Sequence, residues 1–190
     1  MKVAADAAGA GVHSPKRRLV STDGWVARKV YSMARLPPPL LMVAAGVVQR
    51  TLPGRGTTPL RTVVAGGLAV AAATLAGASS RAFRREGTTV LPFHPEQTSS
   101  LVTTGVNAVT RNPMYVGMAG LLLAQAAYRR SWTALAPVAA FVAAIDVYQV
   151  RFEEAALRER FGDVYDAYSR AVPRWLDGRS LRAVGDAPVA

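Results

Sequence analysis

The chain has 190 residues, 51% of them hydrophobic, and a mean hydropathy of +0.17, more apolar than a soluble domain of this size usually is. It has no cysteine and only two histidines, His13 and His94. Disulfides, thiolate sites and cysteine nucleophiles are thereby excluded, and no metal is expected. A formal charge of +11 suits either nucleic acid or anionic lipid, so the positions of the basic residues must decide.

In chain order, residues 1–21 are small, polar and basic without an apolar run; disorder is expected, and no cleavable signal. From Thr22, "TDGWVARKVYSMARL" sets Val26, Val30 and Met33 at helical spacing beside Trp25, with Arg28, Lys29 and Arg35 among the polar positions. This reads as a helix lying on a membrane surface or as an amphipathic helix packed on a neighbour. A first apolar run, "PPPLLMVAAGVVQRTL", opens at Pro37 with prolines that a first helical turn tolerates. The second, Thr62 to Ser80, is uncharged, and the fourth, Trp132 to Val150, carries only Asp146. Both approach the ~20 residues that a membrane-spanning helix needs. The third, Met114 to Tyr128, is shorter, like the first, and either could be a core helix of a soluble protein.

If all four runs span, Arg50, Arg55, Arg61, Arg129 and Arg130 fall on one side and the remaining 18 of 23 basic residues on the other. That asymmetry follows the positive-inside rule and places both termini in the cytoplasm. The basic character is then topology, and no nucleic-acid partner is expected. The expected fold is all-α: an integral membrane protein with about four transmembrane helices, a cytoplasmic amphipathic C-terminal helix and an N-terminal interfacial helix. Residues 22–190 would form one domain.

Two polar clusters break the apolar pattern. In "TRNPMYVGM", residues 110–118, Asn112 suits a helix N-cap and Pro113 the first helical position. Arg111 and the open amides of the helix start would then form an anion site. The third and fourth runs are joined by only "RRS", so they should pair antiparallel and return Glu153 and Glu154 to the neighbourhood of Arg111. Beyond them Leu157, Phe161, Val164, Tyr165 and Tyr168 recur every three or four residues, an amphipathic extension that could roof a cavity. A plainer reading makes Glu154 and Arg158 an i,i+4 pair on a solvated face.

These clusters carry a resemblance. "LVTTGVNAVTRNPMYVGM", a helical hairpin and "EEAALRERFGDVYDAYSRAVPRW" resemble the isoprenylcysteine carboxyl methyltransferase and phospholipid N-methyltransferase superfamily of integral membrane enzymes, over about residues 81–176. The shared pattern is Arg-His/Asn-Pro-x-Tyr-x-Gly, a hairpin, Glu-Glu-x-x-Leu, then Phe-Gly-x-x-Tyr-x-x-Tyr with Pro-Arg close behind. The resemblance implies S-adenosylmethionine bound at the cytoplasmic face, held by Ser99, Ser100, Leu101, Val102 and Asn107 and by Asn112, Pro113, Met114 and Tyr115. It implies catalytic roles for Glu153, Glu154 and Arg111, and as partner a lipophilic or membrane-presented small acceptor. Asn112 stands where the family commonly has His, and Gln149 where it has a basic residue, a part that Arg151 could also take. Asp146, a carboxylate inside an apolar run, is a functional candidate by its position. Two other readings stay open: an NADPH-dependent membrane reductase related to sterol reductases, and a non-catalytic membrane protein of the same fold. The alanine- and arginine-rich composition suggests a bacterial cytoplasmic membrane.

Overall fold

A computed structural model describes residues 37–85 and 101–185. The N-terminal stretch, the surface helix expected from Thr22, both histidines and the pair Ser99 and Ser100 lie outside the described residues. Within them the chain is helix and turn throughout, without a strand. Helix α1 is Pro38–Thr51, α2 is Pro59–Arg85, and a 3₁₀ turn, Gly105–Ala108, precedes α3, Pro113–Arg129. Helix α4, Leu135–Ala144, runs through a π-helical turn, Ile145–Val150, into α5, Arg151–Phe161. Two short helices follow, α6 at Asp163–Ala171 and α7 at Gly178–Gly185.

Among the described residues two segments are long and apolar enough to cross a membrane: Pro59–Ala82, and the unbroken rod Leu135–Phe161 made by α4, the π turn and α5. Helices α1 and α3, with 14 and 17 residues, fall short of a ~30 Å hydrocarbon core at ~1.5 Å per residue. The fourth apolar run therefore does not stop at Val150 as its composition suggested; backbone bonding continues through the charged residues to Phe161. Gly162, at φ 52°, then breaks the helix in a conformation that side-chain-bearing residues seldom adopt. The periodic positions from Leu157 to Tyr168 are thus divided between two helices. Tyr165 is buried, while Val164 points outward.

Helix α3 is the centre of the bundle and packs on α1, α2 and α4. Toward α2 it presents glycine: a Cβ on Gly117 would lie 2.6 Å from the Ala72 carbonyl oxygen and 2.8 Å from the Ala76 Cβ. Gly120 meets Ala72 as closely, at 2.8 Å. Such contact suits a bilayer, where lipid tails are as apolar as leucine and helices associate by close packing and polar bonds. Toward α4, Tyr115, Ala119 and Leu122 form the main core with Val138, Phe141, Ile145 and Val150. Toward α1 the polar bonds are reciprocal. Gln125 Nε2 donates to the Gly46 carbonyl at 2.8 Å, and Gln49 Nε2 donates to the Leu122 and Ala134 carbonyls at 3.0 and 2.8 Å. At the far end Arg129 donates to the carbonyls of Arg50 and Leu52, tying the α1–α2 loop to the end of α3. Leu40, Val43, Val47, Val63, Val64 and Val70 face outward, the surface expected against hydrocarbon.

A valine at Gly117 would have to force α2 and α3 apart. Gly117→Val should cost about 1–3 kcal/mol, the usual range for overpacking, and lower the thermal midpoint in detergent. Gly66→Val, where a Cβ meets nothing within 4 Å, should leave the midpoint almost unchanged. Equal melting of the two variants would refute the close contact.

Candidate functional site

Pro113 occupies the first turn of α3 and Asn112 the N-cap position, as the residue types suggested. The cap itself differs: Asn112 makes no side-chain bond to the first-turn amides. Its Nδ2 instead donates to the Arg174 carbonyl at 2.9 Å, the same oxygen that Thr110 Oγ1 reaches at 3.0 Å. The Arg111 amide donates to the Pro173 carbonyl at 2.9 Å. Residues 110–112 therefore serve as a clamp on the C-terminal segment, which supplies the acceptors and draws the Asn112 amide away from capping.

This clamp sets the Arg174 side chain against the rod. Its Nε and Nη2 grip both oxygens of Glu154, at 2.9 and 2.6 Å, while Nη1 donates to Asp146 Oδ1 at 3.1 Å. The Trp175 indole also donates to Asp146 Oδ1, at 3.0 Å. Arg111 Nη2 joins Glu154 from the other side at 3.1 Å, with both side chains nearly buried. Two guanidiniums thus neutralise one buried carboxylate, the condition under which such a charge is tolerated. The i,i+4 pair of the plainer reading, Glu154 with Arg158, does not form. Arg158 turns to Asp166 at 2.7 Å, because Glu154 points inward, to where Arg111 and Arg174 can satisfy it.

The π turn explains how one guanidinium reaches both Asp146 and Glu154. In a regular α-helix eight residues make two turns plus about 80°, which would carry the second carboxylate off the stripe. The extra residue of a π turn absorbs that excess and brings them onto one face. It also aligns Asp146 with Arg151, five residues on, whose Nε lies 3.5 Å from Asp146 Oδ2.

Glu153 faces another neighbour. Its Oε1 accepts from the Tyr115 hydroxyl and from Gln149 Nε2, both at 2.7 Å. Two neutral donors thereby orient this carboxylate. Over the cluster lies α6. The Tyr165 hydroxyl is 3.4 Å from Arg111 Nη1, and the Tyr168 hydroxyl donates to the Asn107 carbonyl at 2.7 Å. Burial, with the Glu154 charge second, pushes the Tyr165 phenol up to about 12. Burial also raises Tyr168, and the bond to Glu154 raises Arg174, which stays charged.

Arg111, Asn112, Pro113, Tyr115, Glu153 and Glu154 therefore meet at one end of the α3–α4 hairpin, around Arg174. Met114 is half-buried beside them. Leu101 and Val102 approach along the segment leading to the 3₁₀ turn, and Val102 lines a 360 Å³ pocket with Arg81 and Ala82 of α2. Asn107 is buried beneath Tyr168, and its Nδ2, like Arg111 Nε, is a buried donor without a partner. Arg174 and Trp175 were not among the sequence-derived site residues. Their signal lay in the Pro-Arg that closes the motif, read there as punctuation and not as a side chain.

A family model described as phospholipid methyltransferase matches residues 60–164, more than half of the chain. It begins earlier than the resemblance traced over residues 81–176, taking in α2, and ends before Arg174. No curated protein and no solved structure matches the chain.

Removing Arg174 leaves Glu154 with Arg111 alone and strips Asp146 of a partner. Arg174→Ala should destabilise the protein by about 3 kcal/mol, the low end for breaking a buried ion pair, since the side chain is partly exposed. Arg174→Lys, which cannot grip two oxygens in a fork, should recover only part of this. Full recovery by lysine would reduce the network to simple charge neutralisation. The alkaline limb tests Tyr165. Its folded-state value lies above the ordinary 10, so its contribution is complete below pH 10 and disappears as pH rises toward 12. Melting between those limits should fall less steeply in Tyr165→Phe than in the wild type.

Proposed function

The chain belongs to the phospholipid methyltransferase family, a membrane-associated family of methyltransferases, and on that premise we propose that it is an S-adenosylmethionine-dependent enzyme acting on a lipid-soluble or membrane-presented small acceptor. The observation that carries the reading is the meeting of two unpartnered buried donors, Asn107 Nδ2 and Arg111 Nε, with the carboxylates Glu153 and Glu154 at one end of the bundle. A zwitterionic sulfonium ligand asks for that set: donors for its carboxylate and polar nucleoside atoms, and a carboxylate for its cationic groups.

In this reading Leu101, Val102 and Asn107, with Ser99 and Ser100, and Asn112, Pro113, Met114 and Tyr115 hold the cofactor. Glu153, fixed by Tyr115 and Gln149, faces its ammonium or sulfonium. Gln149 thus orients the carboxylate from the position where the family has a basic residue. Glu154, paired with Arg111 Nη2, holds that guanidinium at the start of α3, where its Nε is the donor offered to the ligand. When bound, S-adenosylmethionine would supply an electrophilic methyl for an acceptor lone pair, with a neutral thioether as its leaving group. The residues around it position the acceptor, exclude water and stabilise the cationic ground state no more than needed, so orientation and desolvation supply most of the rate.

Topology completes the proposal. Four helices, α1 to α4, cross or enter the bilayer, with one domain from residue 22 to 190. The basic side is cytoplasmic, with both termini and the site on it, and the membrane is a bacterial cytoplasmic one.

Thermal unfolding in detergent with S-adenosylhomocysteine, with NADPH and with neither tests this directly. At about 100 times its dissociation constant, the bound thioether should stabilise the fold by roughly 2.7 kcal/mol. The shift should vanish in Glu153→Gln, which keeps the shape of the side chain. Stabilisation by NADPH alone would move the protein to the reductases.

A further inference from the structure

Helix α7 is amphipathic, yet its apolar side is not the one it packs with. Its buried residue is Ser180, whose hydroxyl donates to the Val109 carbonyl at 2.8 Å and accepts from the Asp177 amide at 3.2 Å. Leu181 and Val184 are 78% and 60% exposed. At ~100° per residue the order around the helix is Ser180, Val184, Leu181, Arg182, Arg179. A strip of valine and leucine thus lies between the side that leans on the bundle and the side that carries the arginines. A helix resting at a lipid surface beside its own bundle needs that succession of protein, hydrocarbon and headgroup sides.

The place of α7 in the chain fits as well. Its start follows Trp175 by three residues, at most ~11 Å of chain. Trp175 packs on the core of α3 and α4 while its indole reaches Asp146. It therefore stands where the apolar rod gives way to charge, the level at which tryptophan settles in membranes. Leu176, 58% exposed, carries the apolar surface on toward α7. Arg179 is committed to Asp177 at 2.7 Å and to the Arg170 carbonyl at 2.9 Å. Arg182 is exposed and makes no ion pair among the described residues, which leaves it for an external anion.

We propose that α7 is an anchor on the bilayer surface, with Leu181 and Val184 in the acyl region just below the headgroups and Arg182 on the phosphate of an anionic lipid. The lipid is met as a surface, not as a substrate, and the anchor does not depend on the methyltransferase reading. Arg174 precedes α7 by four residues. The bilayer thus steadies from one side a segment that Thr110 and Asn112 hold from the other.

The chain has no cysteine, so one introduced thiol carries a nitrobenzoxadiazole label alone. In nanodiscs of phosphatidylglycerol and phosphatidylcholine, labels at Leu181→Cys and Val184→Cys should emit as in hydrocarbon and lose most of that emission when the acyl chains are brominated near the headgroup. A label at Arg179→Cys, on the opposite side, should emit as in water. Water-like emission at Leu181→Cys overturns the anchor. Apolar emission that bromine leaves unchanged also overturns it, and assigns the face to protein, from this chain or from a second copy. Hydrogen exchange of the α7 amides in the unlabelled protein reads the undocked fraction. Leu181→Ser should speed it about tenfold, the effect of withdrawing one leucine from hydrocarbon, and leave exchange in α3 unchanged. Because Leu181 is exposed within the protein, a helix held by protein contacts alone would keep the wild-type rate in that variant. Nanodiscs of phosphatidylcholine alone should speed exchange about fivefold, the contribution of one arginine near an anionic surface, and Arg182→Gln should abolish the difference. Equal exchange of the wild type in the two membranes overturns the headgroup assignment.

Discussion

One guanidinium, that of Arg174, holds two carboxylates eight residues apart on the same helical rod, and the polar end of the molecule is arranged around it. Its backbone carbonyl is fixed by Thr110 and Asn112, its Nε and Nη2 by Glu154 and its Nη1 by Asp146. The C-terminal segment is thereby joined to the start of α3 and to the rod of α4 and α5 through a single residue. Charges so placed are costly to desolvate and repay that cost only when every partner is in position, which makes the arrangement all-or-none. Arg111 completes it by bringing a second guanidinium to Glu154 Oε1 at 3.1 Å.

The apolar part of the bundle obeys a different constraint. Lipid offers hydrocarbon as good as any side chain, so α2 and α3 gain little from burying leucine and much from approaching closely. Gly117 and Gly120 against Ala72 and Ala76 achieve that approach. Gln49 and Gln125 add directional bonds between α1 and α3, where an unsatisfied amide would be expensive. This rigid frame fixes where α3 begins, and so where Arg111, Asn112 and Tyr115 stand relative to Glu153 and Glu154. The π turn is the one irregularity in the rod, and it lies between the apolar helix α4 and the acidic pair. Such turns occur often at functional sites because they aim side chains that a regular helix would leave facing apart.

Much of this was legible in residue order. Prolines at 37–39 and 113 announced helix starts, uncharged runs announced apolar helices, and the three-residue link after Tyr128 announced an antiparallel hairpin that returns the glutamates to Arg111. Other features were misread for identifiable reasons. Asn112 looked like a cap because capping is a local habit of asparagine, yet a distant carbonyl took its amide. The plainer alternative, Glu154 paired with Arg158 four residues on, fails because burial turns Glu154 toward Arg111 and Arg174. The rod looked shorter than it is because charge, which marks the end of an apolar run, does not end a helix. Gly162 does.

The sequence by itself determined the helical class, the family and the grouping of polar residues at one end, because apolar length, turn chemistry and motif spacing are local properties that survive in the linear order. Only the tertiary structure decided which partner each charge takes. Those choices depend on the rotation of each helix about its axis, which one inserted residue changes by about 100°. They depend also on contacts such as Arg174 with Asp146 and Glu154, across 28 and 20 residues, that no local rule specifies.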